Sequence, residues 1–311
     1  MIARSPSPVQ LVPNHPGIDA GIALYLKRDD LLHPTVSGNK WRKLEPIIQL
    51  IQNQHYMGLL SYGGPFSNHL QAVAAAGRAY GFPTVGVVRG KAADLSNPTL
   101  AQARLDGMQL LPVTKQDYDR WKDAGAKNEL AAQFPAYYHL PEGGATPGAA
   151  ENCRLIAEEI QEQLSADRRT QLVVCVPAGT GCTAAGLVAG LGSSGDTLVF
   201  PAVNYGVDES SIRHFLPDFP ESACRFIRDY TFGGFAVYRP ELIDFVGRFQ
   251  AQTGVLLDPI YTAKMMFGIY DLLGKGAFEP GSVVVALHTG GLQGWAGFRE
   301  RFGMDVLFTT E

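Results

Sequence analysis

The sequence predicts an α/β protein: mainly parallel sheet with helices on both faces. Three observations carry this. Short apolar runs such as Leu172-Val173-Val174-Cys175-Val176 are continuous in polarity, as suits strands buried on both faces. These runs alternate with stretches of helical length, which is the pattern of parallel sheets with crossover helices. Several strand candidates also run into glycine-rich turns that open the next helix, and ligands of such sheets bind there, at strand carboxyl ends and helix N-termini.

In chain order, strands are expected at 24–27, 58–61, 84–88, 109–113, 172–176, 197–203 and 283–287. Helices are expected at 43–54, 68–80, 98–106, 149–163, 183–191, 240–252 and 263–273. In the first helix Trp41, Leu44, Ile48 and Ile51 fall on one face, and Pro46 marks either a first turn beginning near Lys43 or a kink. The 311 residues suit one large domain or two smaller ones, at ~100–200 residues each.

Composition narrows the function. The net charge is -4 with acids and bases mixed, so no basic patch points to nucleic acid or an anionic membrane surface. No stretch approaches the ~20 apolar residues of a membrane span, and the N-terminal segment lacks the apolar region of a signal peptide; a cytoplasmic protein is expected. Cys153, Cys175, Cys182 and Cys224 form no C-x-x-C pair, which argues against zinc or a disulfide framework. No metal is expected, and Cys175 reads as a buried thiol.

Five segments could carry chemistry. Pro177-Ala178-Gly179-Thr180-Gly181-Cys182-Thr183 follows a strand and opens a helix. Its glycines allow backbone N–H groups to converge, the helix adds partial positive charge, and the threonines add donors, so it reads as a phosphate cradle. It is not a Walker loop. It fits G-x-G-x-x-A loosely, but the next strand runs into Asn204 and Tyr205, where a dinucleotide site wants an acid. A plain strand-to-helix turn would also account for it. Ser37-Gly38-Asn39-Lys40 places a lysine at the approach of a helix, off its apolar face; Lys40 is then either solvated or a Schiff-base lysine kept neutral by its surroundings. Ser67-Asn68-His69 follows Gly63-Gly64-Pro65-Phe66. Ser67 and Asn68 stand where helix caps belong, Asn68 with Gln71 fits a capping pattern, and either could instead meet a substrate or cofactor. Asp258-Pro259-Ile260-Tyr261-Thr262 opens an apolar helix, and His288-Thr289-Gly290-Gly291 ends a strand.

Together, in this order and spacing, the segments resemble the pyridoxal-phosphate (PLP) enzymes of the tryptophan synthase β-subunit fold type (fold type II). Within them they resemble the 1-aminocyclopropane-1-carboxylate (ACC) deaminase and D-cysteine desulfhydrase family. The likeness runs from Lys27-Arg28-Asp29-Asp30 to the glycines after Thr289. It implies that Lys40 carries PLP, that Gly179, Thr180, Gly181, Cys182 and Thr183 hold its phosphate, that Asn68 meets the ring hydroxyl, and that Thr289 lies at the ring. It implies that Ser67, Asn68, His69 and Tyr261 meet a small amino-acid substrate, with Lys40, Ser67 and Tyr261 catalytic. It further implies a homodimer of two-domain chains: residues 1–48 and 158–311 in a large cofactor-binding domain, 49–157 in a small inserted α/β domain.

Two departures shape the expected reaction. ACC deaminases carry a glutamate after the tyrosine, where Thr262 stands, and a threonine gives a weaker electron sink than a carboxylate that keeps the ring nitrogen protonated. This favours β-elimination to a 2-oxo acid and ammonia, as in desulfhydrases, over ACC opening, another deamination or a racemisation. Pro65-Phe66 stands where desulfhydrases read an aliphatic residue then glutamine, and Phe232 falls near a family tyrosine, which implies a more apolar substrate site. Non-catalytic PLP binding and nucleotide binding are the readings from other classes.

Overall fold

The computed structural model describes residues 5–36, 38–90, 95–124, 129–165, 171–219 and 223–303. Ser37, first residue of the lysine segment, lies outside them. One sheet contains β1 (Val9–Leu11), β2 (Ala23–Lys27), β7 (Leu172–Ala178), β8 (Asp196–Pro201), β9 (Cys224–Phe226) and β10 (Val283–Leu287), in the order β1-β2-β10-β7-β8-β9. All its neighbours are parallel except β1 with β2. The second sheet is fully parallel: β3 (Gly58–Gly63), β4 (Thr84–Arg89), β5 (Gln109–Val113) and β6 (Tyr137–Leu140), ordered β5-β4-β3-β6. Both flanks of the chain thus build the larger sheet around a middle stretch that builds the smaller one. The α/β class of mainly parallel sheet is as the sequence predicts.

The helices are α1 (Asn39–Gln54), α2 (Asn68–Tyr80), α3 (Pro98–Leu105), α4 (Lys115–Ala124), α5 (Glu129–Gln133), α6 (Pro147–Cys153), α7 (Leu155–Gln163), α8 (Cys182–Leu191), α9 (Glu209–Arg213), α10 (Pro240–Thr253), α11 (Thr262–Gly274) and α12 (Gly294–Phe302). The uniform polarity of β10 is explained by its neighbours. Val284 and Ala286 pack with Leu242 and Val246 of α10 and Met265 and Ile269 of α11, while Val283, Val285 and Leu287 pack with Ile156 and Ile160 of α7 and Leu187 of α8. Around the small sheet, α1, α2 and α3 share one core, and Tyr118 of α4 and Leu130 of α5 cover the other face. The expected domain cuts at 48/49 and 157/158 fall inside α1 and α7, and the apolar face of α1 packs with the helices of the small sheet.

The first helix starts earlier than expected, at Asn39, and continues through Pro46. Proline cannot donate to the carbonyl four residues back. Here the carbonyl of Arg42 accepts instead from Asn152 Nδ2 at 2.7 Å, so the proline is tolerated inside the helix. The expected 149–163 helix is two helices, α6 and α7, meeting at Arg154. The sequence reading missed β1, β6, β9, α5 and α9, which are short, α4, which is strongly charged, and α12, which is glycine- and arginine-rich.

Lys27-Arg28-Asp29-Asp30 has a structural role. Arg42 of α1 pairs with Asp29 at 2.6 and 2.7 Å and with Glu159 of α7 at 2.8 Å, and Lys27 also pairs with Glu159. Asp29 and Arg42 are buried; removing one partner of such a pair costs ~3–5 kcal/mol. The network fixes α1, and with it Lys40, to the larger sheet. The four cysteines are free thiols, all buried.

Candidate active site

The helix-opening turns of both sheets converge on a cavity of about 670 Å³. Lys40, Ser67, Asn68, His69, Gly179, Thr180, Gly181, Thr183, Tyr261 and Thr289 all line it. Among the sequence-selected residues Cys182 does not. Its side chain is buried with Ala149 and Ala150, and only its backbone N–H can serve the cradle.

Lys40 is the second residue of α1 and is half-buried. Its Nζ donates to Asn39 Oδ1 at 3.2 Å. Burial, and then the neighbouring charge of Lys43, push the amine down to about 7. The preceding turn needs glycine: Gly38 has φ 68°, and a Cβ there would stand 1.7 Å from the carbonyl oxygen of Thr289. Asn39 N donates to that same oxygen at 3.2 Å, and Asn39 Nδ2 donates to Thr183 Oγ1 at 3.1 Å. The lysine turn, the Thr289 turn and the glycine loop are thereby locked together.

The glycine loop passes from β7 through Gly181, at φ 79°, into α8. The first N–H groups of a helix have no helical acceptors, so Thr183 and Ala184 bring unsatisfied backbone donors to the cavity wall. Gly179 lies against Tyr261: a Cβ would stand 3.3 Å from the phenol oxygen. Burial, and then Asp258, push the Tyr261 hydroxyl up, keeping it a donor.

Ser67 is the cap of α2, accepting from Leu70 N at 3.2 Å, which leaves its own proton free. The Asn68–Gln71 capping pattern is not formed. Asn68 Oδ1 and Gln71 Oε1 are buried without partners, and Asn68 Nδ2 lies 3.0 Å from where a Cβ on Gly291 would stand. Ser61 donates to Leu140 O at 2.9 Å, so its hydroxyl accepts from His69 Nε2 at 2.7 Å. That fixes the His69 tautomer and leaves Nδ1 bare and unpartnered. Burial, then Lys40 and Lys43, push this imidazole well below its ordinary range, so it is neutral.

Thr262 is off the cavity. It is fully buried, and its hydroxyl donates to Asp258 Oδ2 at 3.0 Å and accepts from Asp258 N at 2.7 Å. Of the two threonines weighed in the sequence, Thr289 is the one on the wall. Phe232 also stays out, packing edge-on against Phe267 at 5.2 Å. The aromatic on the wall from that loop is Phe235, edge-on to Tyr261 at 6.2 Å. Phe66 is on the wall as well and packs against α12 at Gly297, where a Cβ would stand 2.4 Å from its ring. The sequence reading missed Phe235 and the buried Lys264 that donates to Thr231 O at 2.9 Å and Gly234 O at 2.6 Å. The doublet Gly233-Gly234 was the available signal.

These residues fit a phosphate-bearing aldehyde cofactor. A glycine cradle with free N–H groups, an amine tuned to about 7 and an orphaned buried amide face one cavity. The pattern described as "Pyridoxal-phosphate dependent enzyme" matches residues 3–290. The chain belongs to that family. A Pyrococcus horikoshii protein, provisionally named a 1-aminocyclopropane-1-carboxylate deaminase, is 28% identical over 301 residues, covering 93% of this chain and 90% of its own. The mitochondrial bifunctional D-cysteine desulfhydrase/1-aminocyclopropane-1-carboxylate deaminase of Arabidopsis thaliana is 27% identical, covering 94% and 78%. Among solved structures, an ACC deaminase homologue superposes with a TM-score of 0.81 at 25% identity, over 97% of this chain and 94% of that one. An O-acetylserine-dependent cystathionine β-synthase from Helicobacter pylori shares the fold, with a TM-score of 0.68 at 16% identity over 94% and 95%. The chain is thus a PLP-dependent enzyme of fold type II. No helix among the described residues is long and apolar enough to cross a membrane.

Proposed function

We propose that this PLP-dependent enzyme is a lyase that eliminates the β-substituent of a small amino acid, releasing a 2-oxo acid and ammonia. The observation that carries the reading is Lys40: a half-buried amine tuned to about 7, sharing its cavity with the Ser67–Asn68 helix start and the glycine cradle. When bound, PLP supplies the electron sink that makes the α-carbon of an amino acid acidic. Gly179 to Thr183 would hold its phosphate, and Asn68 Oδ1 would take the hydrogen bond of its ring hydroxyl. The open N-terminus of α2 and the free proton of Ser67 receive the substrate carboxylate. Lys40, neutral near physiological pH, accepts the α-proton at Nζ. Tyr261, kept protonated, donates from beside the glycine cradle, and Phe66 and Phe235 add apolar surface to the wall.

The test is release of 2-oxo acid from D- and L-β-chloroalanine by the PLP-loaded protein. Release from at least one, lost in Lys40→Ala, supports the reading; none from either enantiomer rejects it. ACC deamination is the second reading, favoured by the names of the relatives and of the TM-score 0.81 neighbour. Against it, the acid on the described cavity wall is Glu142, and Thr262 is engaged by Asp258. Ammonia release from ACC at a rate matching that from β-chloroalanine would make it the activity. By resemblance we also expect a cytoplasmic homodimer, checked by light scattering and cell fractionation.

A further inference from the structure

The cavity carries more positive charge than a cofactor phosphate and one substrate carboxylate use. The glycine cradle and the start of α2 answer those two groups. On the small-sheet side the wall also presents Arg89, at the end of β4, and Lys122, on α4. Both sit over one ring: the Arg89 guanidinium carbon lies 5.6 Å and Lys122 Nζ 5.8 Å from the centroid of Tyr118. Tyr118 is fully buried, so it is a fixed platform that both cations contact. Arg89 Nη2 also reaches within 3.7 Å of where a Cβ on Gly64 would stand, at the start of the turn that carries Ser67. The site is therefore continuous with the proposed carboxylate end of the substrate. Glu142 lines the same wall and lies at the Tyr118 hydroxyl, which burial and then this acid push up, and Lys122 is shared with Asp119 at 3.4 Å; neither acid is placed on Arg89 by an ion pair.

We infer that Arg89 and Lys122 form a second anion subsite, which receives a negatively charged β-substituent of the substrate. This rests on the lyase reading and narrows its substrate to β-substituted amino acids whose leaving group is an oxyanion such as sulfate or phosphate. An arginine fork matches such groups with two parallel hydrogen bonds. As the α-proton goes to Lys40, the C–H electron pair forms the Cα=Cβ bond and the Cβ–O bond breaks. Its electron pair leaves on the departing oxyanion, and water then converts the released enamine to 2-oxo acid and ammonium. Charge grows on the leaving oxygen as the bond breaks, and fixed cations at that point lower the barrier.

The test is the ratio of kcat/KM for serine O-sulfate to that for β-chloroalanine of the same hand. Comparing this ratio between wild type and Arg89→Gln/Lys122→Gln cancels the intrinsic reactivity of the two leaving groups. The ratio should fall at least tenfold in the double variant and at least threefold in Arg89→Gln alone, and Arg89→Lys should retain part of it. Calorimetry on the PLP-loaded protein should show inorganic sulfate binding at least tenfold more weakly to the double variant. A ratio that moves less than twofold in both variants overturns the subsite and leaves the lyase reading standing. Absence of 2-oxo acid from both substrates in wild type overturns the lyase reading and the subsite with it, whereas release from β-chloroalanine but not from serine O-sulfate overturns the subsite alone.

Discussion

Asn152→Ala removes a side chain that touches no part of the cavity, yet it should loosen the helix that carries Lys40. Asn152 Nδ2 donates to the carbonyl of Arg42 at 2.7 Å and to Glu45 Oε2 at 3.2 Å. The first bond matters because Pro46 has no N–H to give that carbonyl, and an acceptor stranded in a packed interior costs ~1–3 kcal/mol. Asn152→Ala should therefore destabilise the protein by ~2 kcal/mol, the middle of that range. Pro46→Ala restores an amide N–H four residues after Arg42, and the helix can then satisfy the carbonyl itself. In that background Asn152→Ala should cost ~1 kcal/mol or less, a coupling of ~1 kcal/mol in a double-mutant cycle. Urea unfolding of the four proteins measures it. Equal costs in both backgrounds, within ~0.5 kcal/mol, would refute the claim that Asn152 stands in for the missing proline donor.

Three further outcomes are expected. The rate at which cofactor-free protein captures PLP should climb about tenfold per pH unit up to about 7 and then level off, since the Lys40 amine titrates there rather than at 10.5; a climb continuing past pH 9 would contradict it. The folded value lies below the unfolded one, so the unfolded chain binds the extra proton between about 7 and 10.5, and this group's contribution makes stability rise with pH across that window. Gly38→Ala forces a methyl to within 1.7 Å of the Thr289 carbonyl oxygen at φ 68°; PLP affinity should fall at least tenfold by equilibrium dialysis, while far-UV circular dichroism stays native. Lys264→Met strands the carbonyls of Thr231 and Gly234, at ~1–3 kcal/mol each. It should raise KM more than it lowers kcat by displacing Phe235, and an unchanged KM would show that the loop is held by other contacts.

Much of this was legible in the sequence because the informative residues are local. Strands buried on both faces cannot alternate in polarity, so β7 and β10 announced themselves, and glycines next to a helix start signalled the cradle and the Lys40 turn. What was hidden depended on partners distant in sequence. Pro46 read as a first turn or a kink because nothing near it reveals Asn152. Asn68 and Gln71 matched a capping pattern, but Ser67 already supplies the cap, and the two amides turn elsewhere. Thr262 looked like a cofactor contact until Asp258, four residues earlier, was found to engage its hydroxyl. Phe235 and Phe232 are three residues apart in one loop, whose backbone turns at positive φ from Phe232 through Gly234, and only Phe235 lines the cavity.

The most direct test of the account is whether Lys40 holds the cofactor covalently. PLP added to the purified protein should give a visible absorption band that borohydride bleaches, and peptide mapping of the reduced protein should place the adduct on Lys40, with Lys40→Ala showing neither band nor adduct. A band that persists in Lys40→Ala, or an adduct mapping to Lys43 or Lys264, would contradict it.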